Sequence, residues 1–249
     1  MDDSAAPSLF FFTFHKCASV FFSRFVLQRA RGFEHVDYAG RMFVGAAAPP
    51  EAFASRGRLY GPIRLSAEGS VLERLVLPSL EAVRRDDLRA CLMIRDPRDM
   101  LVSLFFHSRD GSPLRPELAG ARKREDERAD ALRLGIDRYV LEKAARFLAG
   151  YDRAVRLVMD RPATHVLRYE DMVDDWSRFK DRLRSVFDLS EDSMRDIESG
   201  SRPNKAEQSG SHKRSGVTGD HRQKLAPETV AALTEQFAPA LRQFGYLAP

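Results

Sequence analysis

The sequence predicts one α/β domain spanning residues 1–249, with a central parallel sheet flanked by helices. Three observations predict it. Two short apolar runs, 8–14 and 88–94, each end in a polar turn and are followed by residues at helical spacing. A third run, 164–169, ends in the acidic pair Glu170 and Asp171. Strands that alternate with helices form parallel sheets covered on both faces, and ligands of such sheets bind at the carboxyl ends of the strands. Lys16, Arg95 and Tyr169 all fall at such ends.

The chain is long enough, and at 43% apolar and 10% aromatic rich enough, to bury a substantial core. Its 40 Lys and Arg against 36 Asp and Glu leave a net charge of only +4, which argues against a whole-surface nucleic-acid binder and makes any anion site local. The greasy opening stretch 8–25 is too broken to span a bilayer, which takes about 18 uninterrupted apolar residues. His15 and Lys16 interrupt it, and Ser23 and Arg24 interrupt it again. Asp2 and Asp3 stand where a signal peptide would be basic, so the expected location is cytoplasmic. Cys17 and Cys91 lie in no metal-ligand spacing and form no disulfide framework, so both are expected as reduced thiols.

In chain order, 8–14 reads as a strand, 15–18 as a tight βα turn and 19–30 as a helix. Residues 88–94 read as a buried strand. Asp96 and Pro97 turn the chain, and 99–107 reads as a helix with Asp99 near its N-cap. The charged section 115–133 is either a solvated helix or a mobile flap, and 139–158 has the period of a packed helix. Residues 199–213 read as a polar loop. The terminal helix is expected from Pro227, a favoured first helical position, to about Phe244.

A turn between a strand and a helix points free N–H groups and the helix dipole at its occupant, which favours an anion. Lys16 adds a full positive charge, Ser19 a hydroxyl, and Ala18 leaves room for close approach. Taken by itself H-K-C-A-S reads better as a lysine capping an ordinary turn, because the G-x-x-x-x-G-K-[ST] pattern is absent. The segment 91–107 adds Arg95 at a strand end, whose planar fork suits phosphate, and Ser103 one turn past Asp99.

Together these segments resemble the sulfotransferases that use 3′-phosphoadenosine 5′-phosphosulfate (PAPS) and release 3′-phosphoadenosine 5′-phosphate (PAP). His15, Lys16, Cys17, Ala18, Ser19 and Val20 stand in place of the family's P-K-S-G-T-T loop around the 5′-phosphosulfate. Arg95 to Ser103 repeats the eight-residue step of the family's R-N-P-K-D-x-x-x-S, which holds the 3′-phosphate. Tyr169 resembles a family tyrosine at the adenine. The stretch H-K-R-S-G-V-T-G-D-H-R resembles the family's R-K-G-x-x-G-D-W loop, with Arg214, Gly216, Gly219 and Asp220 matching, Ser215 replacing the lysine and His221 the tryptophan. Val20 removes one hydroxyl donor. Phe21 stands where a family tryptophan often stacks on adenine; its other reading is a core residue.

The resemblance implies a phosphate-binding-loop, nucleotide-kinase-like sulfotransferase fold over the whole chain. It implies sulfuryl transfer from PAPS to a hydroxyl or amine by in-line displacement without a metal, with Lys16 meeting the charge that builds on the 5′ phosphate. The family histidine that serves as base is not evident, since 60–70 contains Arg64 and Ser66 instead. In other branches of the family a glutamate just after the first helix serves, so Glu34 is expected as base with His35 second; both read otherwise as surface residues beside that helix. The acceptor is expected to be a small molecule, glycan or lipid, bound by residues of about 35–80 and 110–160. Two alternatives stand: a non-catalytic PAPS, PAP or polyanion binder, and a small-molecule kinase, which would need the absent glycine loop.

Overall fold

The structure, a computed structural model, describes residues 5–37, 54–65, 89–111, 121–159, 163–201 and 216–247. The chain forms two compact units, one of residues 1–94 and 150–202 and the other of residues 95–149 and 203–249.

The first unit holds a five-stranded sheet in the order β2-β3-β1-β4-β5, every pair parallel. β1 (Leu9–Thr13) is central, and all five of its residues are buried. That explains an apolar run without alternation: a strand covered on both faces has no polar side. On one face Phe11 stacks on Phe22 at 4.3 Å and meets Phe187 at 6.3 Å. Phe10 and Phe14 point the other way, Phe10 onto Tyr60 at 4.8 Å and Phe14 onto Tyr151 at 4.3 Å. The helix after β1 starts as α1 (Ser19–Phe21) and continues as a π turn (Phe22–Val26) and a 3-10 turn (Leu27–Arg29), so the expected helix at 19–30 is present with changing pitch.

β4 (Arg89–Ile94) and β5 (Thr164–Arg168) match the two other expected strands, although Tyr169 opens α4 (Tyr169–Asp174; α2 and α3 are described below) instead of closing β5. α5 (Trp176–Val186) and α6 (Glu191–Ser201) complete the unit. Residues 199–201, expected in a loop, therefore end a helix, and the rest of that expected loop up to 213 lies outside the described residues.

β2 (Glu34–Asp37) and β3 (Arg58–Arg64) were not expected as strands. Gly61 and Pro62 interrupt the pattern of β3, and proline is tolerated there because the register slips: Phe10 pairs with Tyr60 but Phe12 with Ile63, which leaves one extra residue in β3. Glycine is required for a second reason. A Cβ at position 61 would stand 2.8 Å from the Phe11 carbonyl oxygen and 2.9 Å from its Cβ. Gly61→Ala should therefore cost at least about 1–3 kcal/mol, the range of overpacked cores. Urea unfolding checks this, and an unchanged midpoint would contradict the close approach.

The second unit is helical. α2 (Pro97–Asp110) begins with proline at its first turn and is capped by Asp96, whose side chain accepts from the Arg98 N–H at 2.9 Å. The cap is thus Asp96, not Asp99, which lies inside the first turn. α3 (Ala121–Ala154), of which residues 121–149 belong to this unit, is kinked at Gly135 (φ 72°), and it shows that the charged residues 121–133 are helical, with Arg122, Lys123, Glu125, Asp126 and Arg128 exposed. α7 (His221–Lys224), α8 (Pro227–Gln236) and α9 (Ala238–Gln243) follow, so the expected terminal helix is broken at Phe237. Their core gathers Leu101, Phe105, Tyr139, Val140, Leu233 and Phe237. Tyr139 keeps its hydroxyl satisfied 2.9 Å from Ser108 Oγ. Among the described residues no helix is long and apolar enough to cross a membrane.

Candidate functional site

The chain leaves β1 toward β2 and β3 on one side of the sheet and leaves β4 toward β5 on the other, so the strand order reverses between β1 and β4. A crevice at the carboxyl end of such a switch point is the usual ligand position in open α/β sheets. The loop 14–18 leaves β1 there. It is tied down twice from below: Thr13 Oγ1 donates to the Cys17 carbonyl at 2.8 Å, and Cys17 Sγ donates to the Met93 carbonyl of β4 at 3.4 Å.

The loop backbone is strained. Among the described residues Lys16 (φ 66°) and Ala18 (φ 53°) are the two other than glycine with positive φ, and φ of Cys17 between them is not positive. Each such residue costs about 1–2 kcal/mol, so the fold must over-determine the conformation. Alternation of this kind turns successive N–H groups to one side, which is the geometry of an anion nest. Helix α1 starts at once, with Ser19 buried and the Phe22 N–H bonded to the Ala18 carbonyl at 3.1 Å.

Arg64, the last residue of β3, pairs in register with Thr13 and donates from Nη2 to Ser19 Oγ at 3.0 Å. Burial lowers its pKa. An arginine starts so high that it stays charged. Lys16, Ser19 and Arg64 thus belong to one carboxyl edge of the sheet. Arg64 was not expected to take part, yet its local signal matches that of Arg95: Ile63-Arg64 ends β3 as Ile94-Arg95 follows through from β4.

The other expected residues of this unit divide. His15 and Val20 are exposed, and Phe21 is half-buried against Phe22 at 5.4 Å and Phe25 at 5.8 Å. Tyr169 is buried at the carboxyl end of β5. Glu34 and His35 are placed elsewhere. They pair with Arg58 and Leu59 at the amino end of β3, so they stand at the edge of the sheet opposite to Lys16. Five strand residues at about 3.3 Å each lie between those ends. The exposed Glu34 carboxylate pairs with Arg58, and His35 Nε2 lies 2.9 Å from the Gly61 carbonyl oxygen. This register separates them from the loop after β1.

In the second unit Arg95 is 5% exposed, and its Nη2 reaches the Val217 carbonyl at 3.5 Å. Its neighbours in R-D-P-R-D bond within the fold: Arg98 forms a buried two-point pair with Asp96 (2.7 and 3.0 Å) and donates to Thr234 Oγ1 at 2.9 Å. Asp99 does something else. Its carboxylate accepts from the Gly219 N–H at 2.7 Å, from the His221 N–H at 3.0 Å and from His221 Nδ1 at 2.6 Å. Two motifs 120 residues apart are thereby joined. Ser103 is half-buried one turn further along the same helix face. Gly216 is buried, whereas Arg214 and Ser215 lie outside the described residues.

Burial pushes the Asp99 carboxyl up, but the His221 side-chain hydrogen bond, the Arg95 charge and the His221 backbone N–H outweigh it and hold it below its ordinary 3.8. The sign follows from linkage: a depressed carboxyl contributes stability that is complete above the unfolded value and lost as pH falls through the lower folded value. Asp99→Asn should therefore lose less stability than the parent between about pH 5 and the acid limit. Urea midpoints taken across that range test it, and identical acid slopes would contradict the pairing.

No family model matches the chain, and no curated protein matches its sequence. Solved structures do resemble it. Mouse sulfotransferase SULT7A1 complexed with PAP aligns over 95% of this chain and 85% of its own, at 15% identity and a TM-score of 0.52. Retinol dehydratase in complex with androsterone and the inactive cofactor PAP aligns over 94% of this chain and 80% of its own, at 14% identity and a TM-score of 0.40. The parallel sheet, its strand order and the extent of the match to the mouse enzyme together make this a sulfotransferase fold.

Proposed function

We propose that the chain is a sulfotransferase that moves a sulfuryl group from PAPS to a hydroxyl or amine of a small-molecule, glycan or lipid acceptor. The observation that carries the reading is the β1 to α1 loop, where Lys16 and Ala18 hold a nest-like backbone and Ser19 is bonded to Arg64. Two cations, a hydroxyl and turned N–H groups suit a doubly anionic end of a nucleotide. No glycine-lysine-serine loop accompanies them, which disfavours a kinase.

In this reading PAPS supplies the sulfuryl group together with a 5′-phosphate leaving group. Lys16 would hold the leaving oxygen and meet the charge that grows on it, while Arg64, Ser19 and the backbone N–H groups of the loop 15–20 would hold the 5′ end. Arg95, Ser103, Arg214, Ser215 and Gly216 take the 3′-phosphate, and Phe21 and Tyr169 border the base. Positioning and charge stabilisation are most of what such a transfer asks of a protein. Glu34 and His35 have no part in it.

Calorimetry with PAP tests the site, and a labelled-PAPS assay over a panel of alcohols, phenols and amines tests transfer. Failure of PAP to bind would overturn the proposal. A second reading, a PAP-binding protein without transfer, is favoured by one observation: both expected bases stand at the amino edge of the sheet. Binding with no transfer to any acceptor is the outcome that selects it.

A further inference from the structure

We infer that Asp99 and His221 form a latch that sets the 3′-phosphate half of the nucleotide site, with Asp99 as its positioning residue. The inference rests on the sulfotransferase reading above and adds to it two residues that touch no ligand.

A carboxylate that is 1% exposed is costly unless its oxygens are satisfied. Asp99 meets that demand from a single short segment. All three donors, the Gly219 N–H, the His221 N–H and His221 Nδ1, lie within three consecutive residues. Gly219 has φ +73°, a conformation that other residues rarely adopt, and the segment keeps it while both flanking N–H groups converge on one carboxylate. The Nδ1 contact at 2.6 Å requires the imidazole proton on that nitrogen. His221 is itself 1% exposed, and its Nε2 is buried with no hydrogen-bond partner among the described residues. The ring therefore turns its Nδ1 toward Asp99, and its Nε2 stands against no polar partner among the described residues.

What the latch holds is informative. Asp99 lies four residues after Arg95 and four before Ser103, the two groups proposed for the 3′-phosphate. The segment it grips begins beside Val217, whose carbonyl Arg95 reaches, and directly follows Arg214 and Ser215 in the chain. One buried carboxylate thus fixes the start of α2 to the segment 216–221, which begins with Gly216, another residue proposed for the 3′-phosphate. The departure from the family pattern at position 221 gains a physical meaning: imidazole in place of indole adds a bond to Asp99 beyond those from the backbone. Loosening the latch should blur recognition of the 3′-phosphate and leave the 5′ end, held by the loop after β1, as it was.

The experiment compares PAP with adenosine 5′-phosphate, which differs only in the 3′-phosphate, by calorimetry on the full chain. The variants are Asp99→Asn, His221→Phe and His221→Asn, each with its melting temperature. The parent should prefer PAP. Asp99→Asn and His221→Phe should lose at least about tenfold of that preference, the scale of one charge-assisted hydrogen bond, with the affinity for adenosine 5′-phosphate unchanged. His221→Asn should keep it, because its amide N–H replaces the Nδ1 donor. Should Asp99→Asn fail to fold, the two histidine variants carry the same test. Full retention of the preference in His221→Phe overturns the inference alone. A parallel loss for both nucleotides also overturns it, since a structural role would produce that. If the parent binds neither nucleotide, the sulfotransferase reading falls and the latch with it.

Discussion

Lys16→Ala is expected to lower turnover at saturating PAPS by about 10²–10³, equivalent to about 2.7–4 kcal/mol of transition-state stabilisation, while the melting temperature stays near that of the parent. In the proposed transfer the charge that matters grows on the leaving oxygen as its bond to sulfur breaks, so a cation placed there would gain strength as the reaction proceeds. That is the condition for raising a rate as opposed to tightening binding. The fold should tolerate the change for two reasons. Lys16 is half-buried at the loop surface, and alanine already occupies the same left-handed region two residues later. Undiminished turnover would remove Lys16 from the mechanism. A loss confined to the affinity for PAPS would make it a binding residue only.

Phe22→Ala should destabilise the first unit by about 3–5 kcal/mol, the usual cost of emptying a large buried aromatic site. Few single changes compare with it. Phe22 is fully buried, stacks on Phe11 of the central strand at 4.3 Å and meets Phe179 of α5 edge-on at 6.3 Å. Its backbone N–H also closes the first turn after Ala18. The side chain that anchors this helix to the sheet thus lies four residues beyond the strained loop, and a cavity there should loosen the loop as well. Urea unfolding measures the first effect, and a change below about 1 kcal/mol would show that the site collapses without cost. PAP affinity measured on the folded fraction reads the second.

Three of the five strands are legible in the sequence: Leu9–Thr13 and Arg89–Ile94 because burial on both faces writes them as nearly continuous apolar runs, and Thr164–Arg168, a mostly half-buried edge strand, because it runs up to the acidic pair Glu170 and Asp171. β2 and β3 are not. β2 is four residues at a sheet edge, with Glu34 exposed and the rest half-buried, which is too short for periodicity to register. β3 contains Gly61 and Pro62, residues that ordinarily end a strand, and only its slipped register against β1 makes room for them. The same omission bears on Glu34. Reading Glu34 as the residue after a helix put it near the loop, whereas its pairing with Arg58 puts it at the far edge.

The sequence by itself determined the class of the fold and the tight turn after β1 that carries Lys16. These are local matters, since an apolar run, a turn and a lysine are each read within a few residues. Only the tertiary structure decided that Arg64 stands beside Ser19 and that Asp99 grips Gly219 and His221, across 45 and 120 residues or more. The physical reason is that a buried hydrogen bond depends on where the backbone brings its two ends. Strand register and helix packing set that, and neither leaves a periodic mark on the residues involved.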